Sequence, residues 1–223
     1  CTRTAATQLM DKNMPALRGD SAVEYQKKNA ANGLLGDAIA ATAGDDDLIQ
    51  SPDVLTQLTA DDGTTNDAFG NSIAVSGDTA VIGAFADNNN LGSAYVFVRS
   101  GTVWTQQQKL IPSDGVGGDR FGQRVAISGD TIVVGSPNTD TAGGSSSGAV
   151  YVFVRSGTTW TEQQKLAASD GNGLDKFSDA LGISGDMIIV GSPGKNYPGR
   201  DDQGAAYVFF RNGTSWSEQQ ILT

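Results

Sequence analysis

From residue 53 onward, β-branched and aromatic residues alternate with polar ones in short runs closed by glycine-containing turns, the pattern of half-buried strands rather than of helices. Val125-Ala126-Ile127 and Thr131-Ile132-Val133-Val134 flank Ser128-Gly129-Asp130, which predicts a tight hairpin. A second hairpin follows, pairing residues 150–155 with 160–166 across Ser156-Gly157-Thr158-Thr159. The whole arrangement recurs. SAYVFVRSGTVWTQQQKL (93–110), GAVYVFVRSGTTWTEQQKL (148–166) and GAAYVFFRNGTSWSEQQIL (204–222) align, as do FGNSIAVSGDTAVIGAF (69–85), FGQRVAISGDTIVVGSP (121–137) and FSDALGISGDMIIVGSP (177–193). Trp104, Trp160 and Trp216 fall at equal intervals, whereas Phe69 to Phe121 is four residues shorter than Phe121 to Phe177, a deficit in the loop after Phe85. The chain therefore reads as three units of four strands, at about 53–110, 111–166 and 167–223, and such units are the signature of propeller blades. In the third unit the turn Asn212-Gly213-Thr214 also spells a glycosylation sequon. The turn reading, a type I′ hairpin, accounts for all three copies.

Phe69-Gly70 followed by Gly83-Ala84, and Phe121-Gly122 followed by Gly135-Ser136-Pro137, resemble the FG and GAP elements of the FG-GAP family, found in integrin α-chain propellers and many bacterial surface proteins. The third unit keeps Gly191-Ser192-Pro193 but reads Phe177-Ser178. The resemblance covers roughly residues 53–223. It implies an all-β fold of three four-stranded propeller blades, and a role in binding or assembly outside the cytoplasm.

Three blades fall short of the about four to eight that close a propeller. Val54-Leu55-Thr56-Gln57-Leu58-Thr59 reads as a spare strand before the first unit, and Trp216 to Leu222 as its equivalent at the other end. Unpaired strand edges are seldom left uncovered. Val54, Leu55, Leu58, Trp216, Ile221 and Leu222 are thus the expected assembly edge. The expected occupants are further blades, copies of the same chain in a closed ring or a filament, or another surface protein or glycan.

Residues 1–52 lack the repeat. Ser21 and Glu24 form a capping-box pattern, and Ala22, Val23, Ala30, Ala31, Leu34, Leu35, Ala38 and Ile39 form a loose apolar stripe, predicting a helix over about 21–43. Asp45-Asp46-Asp47 reads as a polar linker. Arg18-Gly19-Asp20 matches a tripeptide that integrins recognise, but three residues carry little information. Cys1 at the start of the numbering is a candidate lipidation site of the bacterial lipoprotein kind, against the plainer reading of a cut end. No apolar run reaches the roughly 18 residues needed to cross a bilayer as a helix, so the expected membrane attachment is through lipid on Cys1.

Composition narrows the chemistry. A net charge of −10 and a pI near 4.3 oppose binding to a phosphate backbone, so nucleic acid is not an expected partner. The chain has no histidine and one cysteine, which removes Ser-His-Asp and Cys-His arrangements and the usual zinc ligands. The expectation is a protein that is not an enzyme.

The most regular polar constellation is Asp-Gly-x-x-x-Asp-x-Phe, at Asp62 and Asp67, Asp114 and Asp119, and Asp170 and Asp175. Paired carboxylates on a glycine-bent loop are candidate Ca²⁺ ligands, and the competing reading is that each aspartate caps a turn by accepting backbone N–H bonds. Integrin-type repeats often carry a calcium loop just before the strand leading to GAP. Here the short turns Ser76-Gly77-Asp78, Ser128-Gly129-Asp130 and Ser184-Gly185-Asp186 stand in its place, so the resemblance implies no calcium there. The polar loops 86–92, 138–147 and 194–203, the last with Asp201 and Asp202, differ among the copies and are where a ligand surface is expected. The three tryptophans read as packing between units, or as sugar-stacking platforms in a lectin. The alternative function is accordingly a glycan-binding or polysaccharide-processing propeller, with paired aspartates doing acid and base work.

Overall fold

Each repeat folds into one antiparallel sheet because its two hairpins have two-residue loops, each led by a glycine whose positive φ matches the strand twist. In the computed structural model, which describes residues 57–223, the first sheet holds β1 (Ser72–Ser76), β2 (Thr79–Ala84), β3 (Ser93–Ser100) and β4 (Val103–Leu110). The second holds β5 (Arg124–Ser128), β6 (Thr131–Ser136), β7 (Ala149–Ser156) and β8 (Thr159–Leu166). The third holds β9 (Ala180–Ser184), β10 (Met187–Ser192), β11 (Ala205–Asn212) and β12 (Ser215–Leu222). Strand order follows chain order in all three sheets, as in propeller blades. The expected helix over 21–43, Arg18-Gly19-Asp20, Cys1, Val54 and Leu55 lie outside the described residues.

Three expectations need correction. Ser215–Leu222 is no redundant strand: it is the fourth strand of the third sheet, pairing with β11 as β4 pairs with β3. Leu58 and Thr59 belong to no strand. At the β11–β12 turn, positive φ occurs at Gly213 (63°) and not at Asn212, so the loop is Gly213-Thr214, the glycine-first pattern of type II′, not type I′. The hairpins at Gly101 and Gly157 share this form, with φ of 60° and 63°.

The FG and GAP elements are joined within each blade. The amides of Gly70, Gly122 and Ser178 donate to the carbonyls of Gly83, Gly135 and Gly191 at 3.0, 3.1 and 3.0 Å. The phenylalanine is then held edge-on against the tyrosine and phenylalanine of the third strand, as in Phe121 at 5.4 Å from Tyr151 and 6.0 Å from Phe153. Glycine is needed where blades meet: a Cβ on Gly83 would stand 1.9 Å from the Gly122 carbonyl oxygen of the next blade.

Each sheet has a front face turned to the preceding blade and a back face turned to the following one. Between the first two blades, Val81, Val96, Ala94 and Leu110 of the first back face pack on Val125, Ile127, Tyr151 and Phe153 of the second front face. The next interface repeats this with Val133, Val152 and Leu166 against Ile188, Val190, Tyr207 and Phe209. The core is thus two inter-blade layers, with a third cluster on the first blade's front under Leu58, Ala60, Phe69 and Trp104.

Candidate functional site: aspartate clusters and interaction faces

The six aspartates of the repeated loops do two separate jobs. Asp67, Asp119 and Asp175 bend back to accept the amide three residues earlier, from Thr64 (2.5 Å), Val116 (3.0 Å) and Asn172 (2.7 Å). Their backbone carbonyls accept from Ala86, Asn138 and Gly194, just beyond each GAP element. They are buried turn caps tying the FG loop to the GAP strand.

Asp62, Asp114 and Asp170 instead receive the hydroxyls of the buried third-strand tyrosines, Tyr95, Tyr151 and Tyr207, at 2.9, 2.7 and 2.7 Å. A lysine neutralises each one. Lys109 on β4 lies 2.6 Å from Asp62 and 2.7 Å from Asp87, and Lys165 on β8 lies 2.7 Å from Asp114. In the third blade the matching strand position is Ile221, and the cation comes from the GAP loop. There Lys195 Nζ sits 3.2 Å from Asp170 and 3.3 Å from Asp175.

Hydrogen bonds from Lys109 and Lys165 hold the carboxyls of Asp62 and Asp114 below the usual carboxylate value, against the opposing effect of burial. At Asp87 burial acts upward, and Lys109 and Ser93 outweigh it. Burial, aided by the Asp62 hydrogen bond, pushes the Tyr95 hydroxyl up to about 12, and raises Tyr151 and Tyr207 likewise. The candidate calcium carboxylates thus have lysine, tyrosine and amide partners in this arrangement. Among the described residues no group of three or more Asp, Glu, His or Cys is placed to hold a metal ion.

Trp160 and Trp216 open their outer strands and are locked by glutamines of the preceding blade. Gln108 accepts from the Trp160 amide and donates to its carbonyl, both at 2.7 Å, and Gln107 accepts from its indole N–H at 3.0 Å. Gln164 and Gln163 treat Trp216 the same way, at 2.8, 2.8 and 3.2 Å. Gln107 reaches across because the β3–β4 ladder slips beside it, with Val96 paired to Gln108 and Phe97 to Gln106, so a bulge aims it at the neighbouring blade. These glutamines were not singled out in the sequence. Their signal is the repeated Gln-Gln, which interrupts strand alternation at the same place in every unit.

Trp216 is therefore interior, and Ile221 packs in the cluster between the second and third blades. Both side chains face the second blade, because the outer strand of each blade turns that side toward its predecessor. Leu222 is 43% exposed on the third blade's back, and Leu58 is half-buried on the first blade's front.

Two open faces remain. On the first blade's front, Ile73 and Val75 are 62% and 60% exposed, although the matching Val125 and Ile127 are at 7% and 9%. On the third blade's back, Ile189 and Phe210 are 41% and 44% exposed, whereas Val81 and Val133, the counterparts of Ile189, are fully buried. Of the variable loops, 86–92 and 138–147 both dock on the next blade: the carbonyls of Asn90 and Leu91 accept from Gly118, Arg120 and Phe121. The carbonyls of Ser145, Ser146 and Ser147 accept from Leu174, Lys176 and Phe177. Asp201 and Asp202 are exposed.

The model of the FG-GAP repeat matches residues 54–97, 104–153 and 160–209. The chain belongs to the FG-GAP repeat family. The second and third FG-GAP matches each run from the outer strand of one blade into the first three strands of the next, so the sequence repeat straddles two blades there. A comparison with curated proteins gives no match. No helix among the described residues is long and apolar enough to cross a membrane.

Proposed function

We propose that this FG-GAP chain is a non-enzymatic, extracytoplasmic interaction protein, serving in adhesion or as a self-assembling subunit of a surface structure. One observation carries the reading. The polar groups that recur in the repeats are absorbed in holding blades together, while apolar sheet surface stands open at both ends of the stack. A catalytic carboxylate pair needs one acid and one base facing a substrate. Here Asp114 faces Tyr151 and Lys165, and Asp119 caps the Val116 amide. Extracytoplasmic placement rests on the family, whose members are typically extracellular or surface-associated.

The glycan-binding alternative retains a single support. Trp160 and Trp216 are sealed between blades, but Trp104 keeps partial exposure, with the Arg99 guanidinium 5.8 Å from its ring centroid. Incubating the protein with a panel of polysaccharides tests the main reading: no release of reducing ends is expected. Turnover abolished by Asp170→Asn would overturn it. Binding on a glycan array that disappears with Trp104→Ala would replace it with the lectin reading.

A further inference from the structure

Stacked repeats normally end in polar outer faces, because an apolar one would be left in water. The third blade does the reverse. At the positions of Thr79, Val81 and Val98 in the first blade it carries Met187, Ile189 and Phe210, each larger or more apolar than its counterpart. The surface that faces no described blade is greasier than the two that are covered. Its natural complement is the type of surface that covers the other two, the front of a blade, and one front stands open on this chain at Ile73 and Val75.

We propose, resting on the interaction reading above, that the partner of these faces is a second copy of this chain, docked front to back. Each first blade then follows the third blade of the other copy. The described residues of two copies supply six blades, within the about four to eight that close a propeller, so the contact made twice closes a ring.

The internal interfaces supply the template. Val125 and Ile127 pack beside Ala74 and Val81, and in the ring Ile73 and Val75 take the same place beside Gly182 and Ile189. The amides of Phe121 and Phe177 are received by the carbonyls of Leu91 and Ser147 in the preceding blade. Phe69 is the corresponding donor on the first blade, and the matching carbonyl is that of Gln203, which no described residue engages. Gly204 preserves the close approach. A Cβ at the equivalent Gly92 or Gly148 would stand 1.9 or 2.1 Å from the next blade's phenylalanine carbonyl, whereas at Gly204 nothing lies nearer than 3.6 Å. Leu58 already occupies the place on the first front that Leu110 occupies on the second, so the new contact is made by the inner strands, and Leu222 stays at its rim.

The test uses the full chain and two double variants, Ile73→Lys with Val75→Lys for the front and Ile189→Lys with Phe210→Lys for the back. All four positions are exposed, so near-ultraviolet circular dichroism should match the parent. If a lysine variant loses that signal, the glutamine versions of the same substitutions take its place. Sedimentation velocity should give the parent the mass of two copies. Each variant alone should run as one copy, with association weakened about a hundredfold or more by the buried charges. An equimolar mixture should recover a two-copy species, since one intact front then meets one intact back.

A parent with the mass of one copy at all concentrations overturns the proposal. So does a mixture that stays monomeric, or an open ladder of masses. A back variant that loses thermal stability while the parent is already monomeric shows the chain's own N-terminal segment on that face, and overturns it too. A monomer that still binds a surface partner removes the ring and leaves the proposed function standing. A ring that degrades polysaccharide does the opposite.

Discussion

Val125 and Ile127 in the second blade and Ile73 and Val75 in the first occupy the same two positions of the repeat, on strands of the same length and register. One pair is sealed and the other faces solvent. The third blade makes the mirror comparison, with Ile189 open where Val133 is fully covered. The alternation within a blade chooses which side of the sheet a residue takes. Whether that side is dry depends on the neighbouring blade, because a sheet in a propeller buries its faces only against other sheets.

The most severe way to break this comparison is to place a charge at both ends of it. Val133→Asp leaves an unpaired carboxylate in the second inter-blade layer and should cost about 3–5 kcal/mol or more, which urea denaturation would show as loss of most of the transition. Ile189→Asp, at the same repeat position, should cost under about 1 kcal/mol in the isolated chain. Equal losses would mean that the third blade's back is covered.

A comparable contrast lies in the lysines. Lys195 is buried between Asp170 and Asp175, and removing it as Lys195→Met strands two carboxylates, one of them fully buried, at about 3–5 kcal/mol. Lys165→Met removes a more exposed pairing and should cost about 1 kcal/mol or less. Adding Ile221→Lys to Lys195→Thr rebuilds the second-blade arrangement in the third and should recover most of the loss in melting temperature. No recovery would show that the two lysines are not equivalent.

A smaller effect is expected at the tyrosines. Tyr151→Phe keeps the ring packed on Phe121 and deletes the bond to Asp114, for about 1 kcal/mol in chemical denaturation. The clusters also set the acid limb of stability. Asp62 and Asp114 have folded pKa values below their usual 3.8, so their contribution is complete above that value and is lost as pH falls through the depressed folded values. Tyr95 acts on the alkaline side: its contribution is complete below 10.0 and is lost as pH rises through about 12. Melting temperature against pH should fall at both ends, and the acid fall should flatten in Lys109→Met. The smallest expected change is Arg155→Gln, which deletes an ion pair with Asp130 and a 3.2 Å bond to Thr79 across the blade boundary, for about 0.2–1 kcal/mol.

The turn caps at Asp67, Asp119 and Asp175 were legible in the sequence, because an aspartate on a glycine-bent loop needs only local geometry to reach the amide three residues back. Packing between units is one of the two readings the tryptophans allow, and Trp160 and Trp216 are packed, yet their glutamine partners lie in the previous repeat and no local pattern names them. In the sequence Trp216 and Ile221 fall on an open edge, because the strand at the end of the repeats has no following unit to pair with. In the fold it is an ordinary outer strand whose inward side belongs to the preceding blade. The transfer of the lysine from β4 and β8 to the loop at Lys195 was hidden for the same reason, since strand and loop approach one aspartate only after the sheet has formed.

The sequence by itself determined the repeat, the strands, their order within a blade and the side that each residue takes, because hairpins and alternation are fixed by neighbours along the chain. Tertiary structure alone decided which apolar positions are dry, which aspartate meets which lysine, and that two sheet faces stand open. Those outcomes depend on surfaces brought together from residues fifty or so positions apart, and the local pattern is the same whether or not a blade lies opposite.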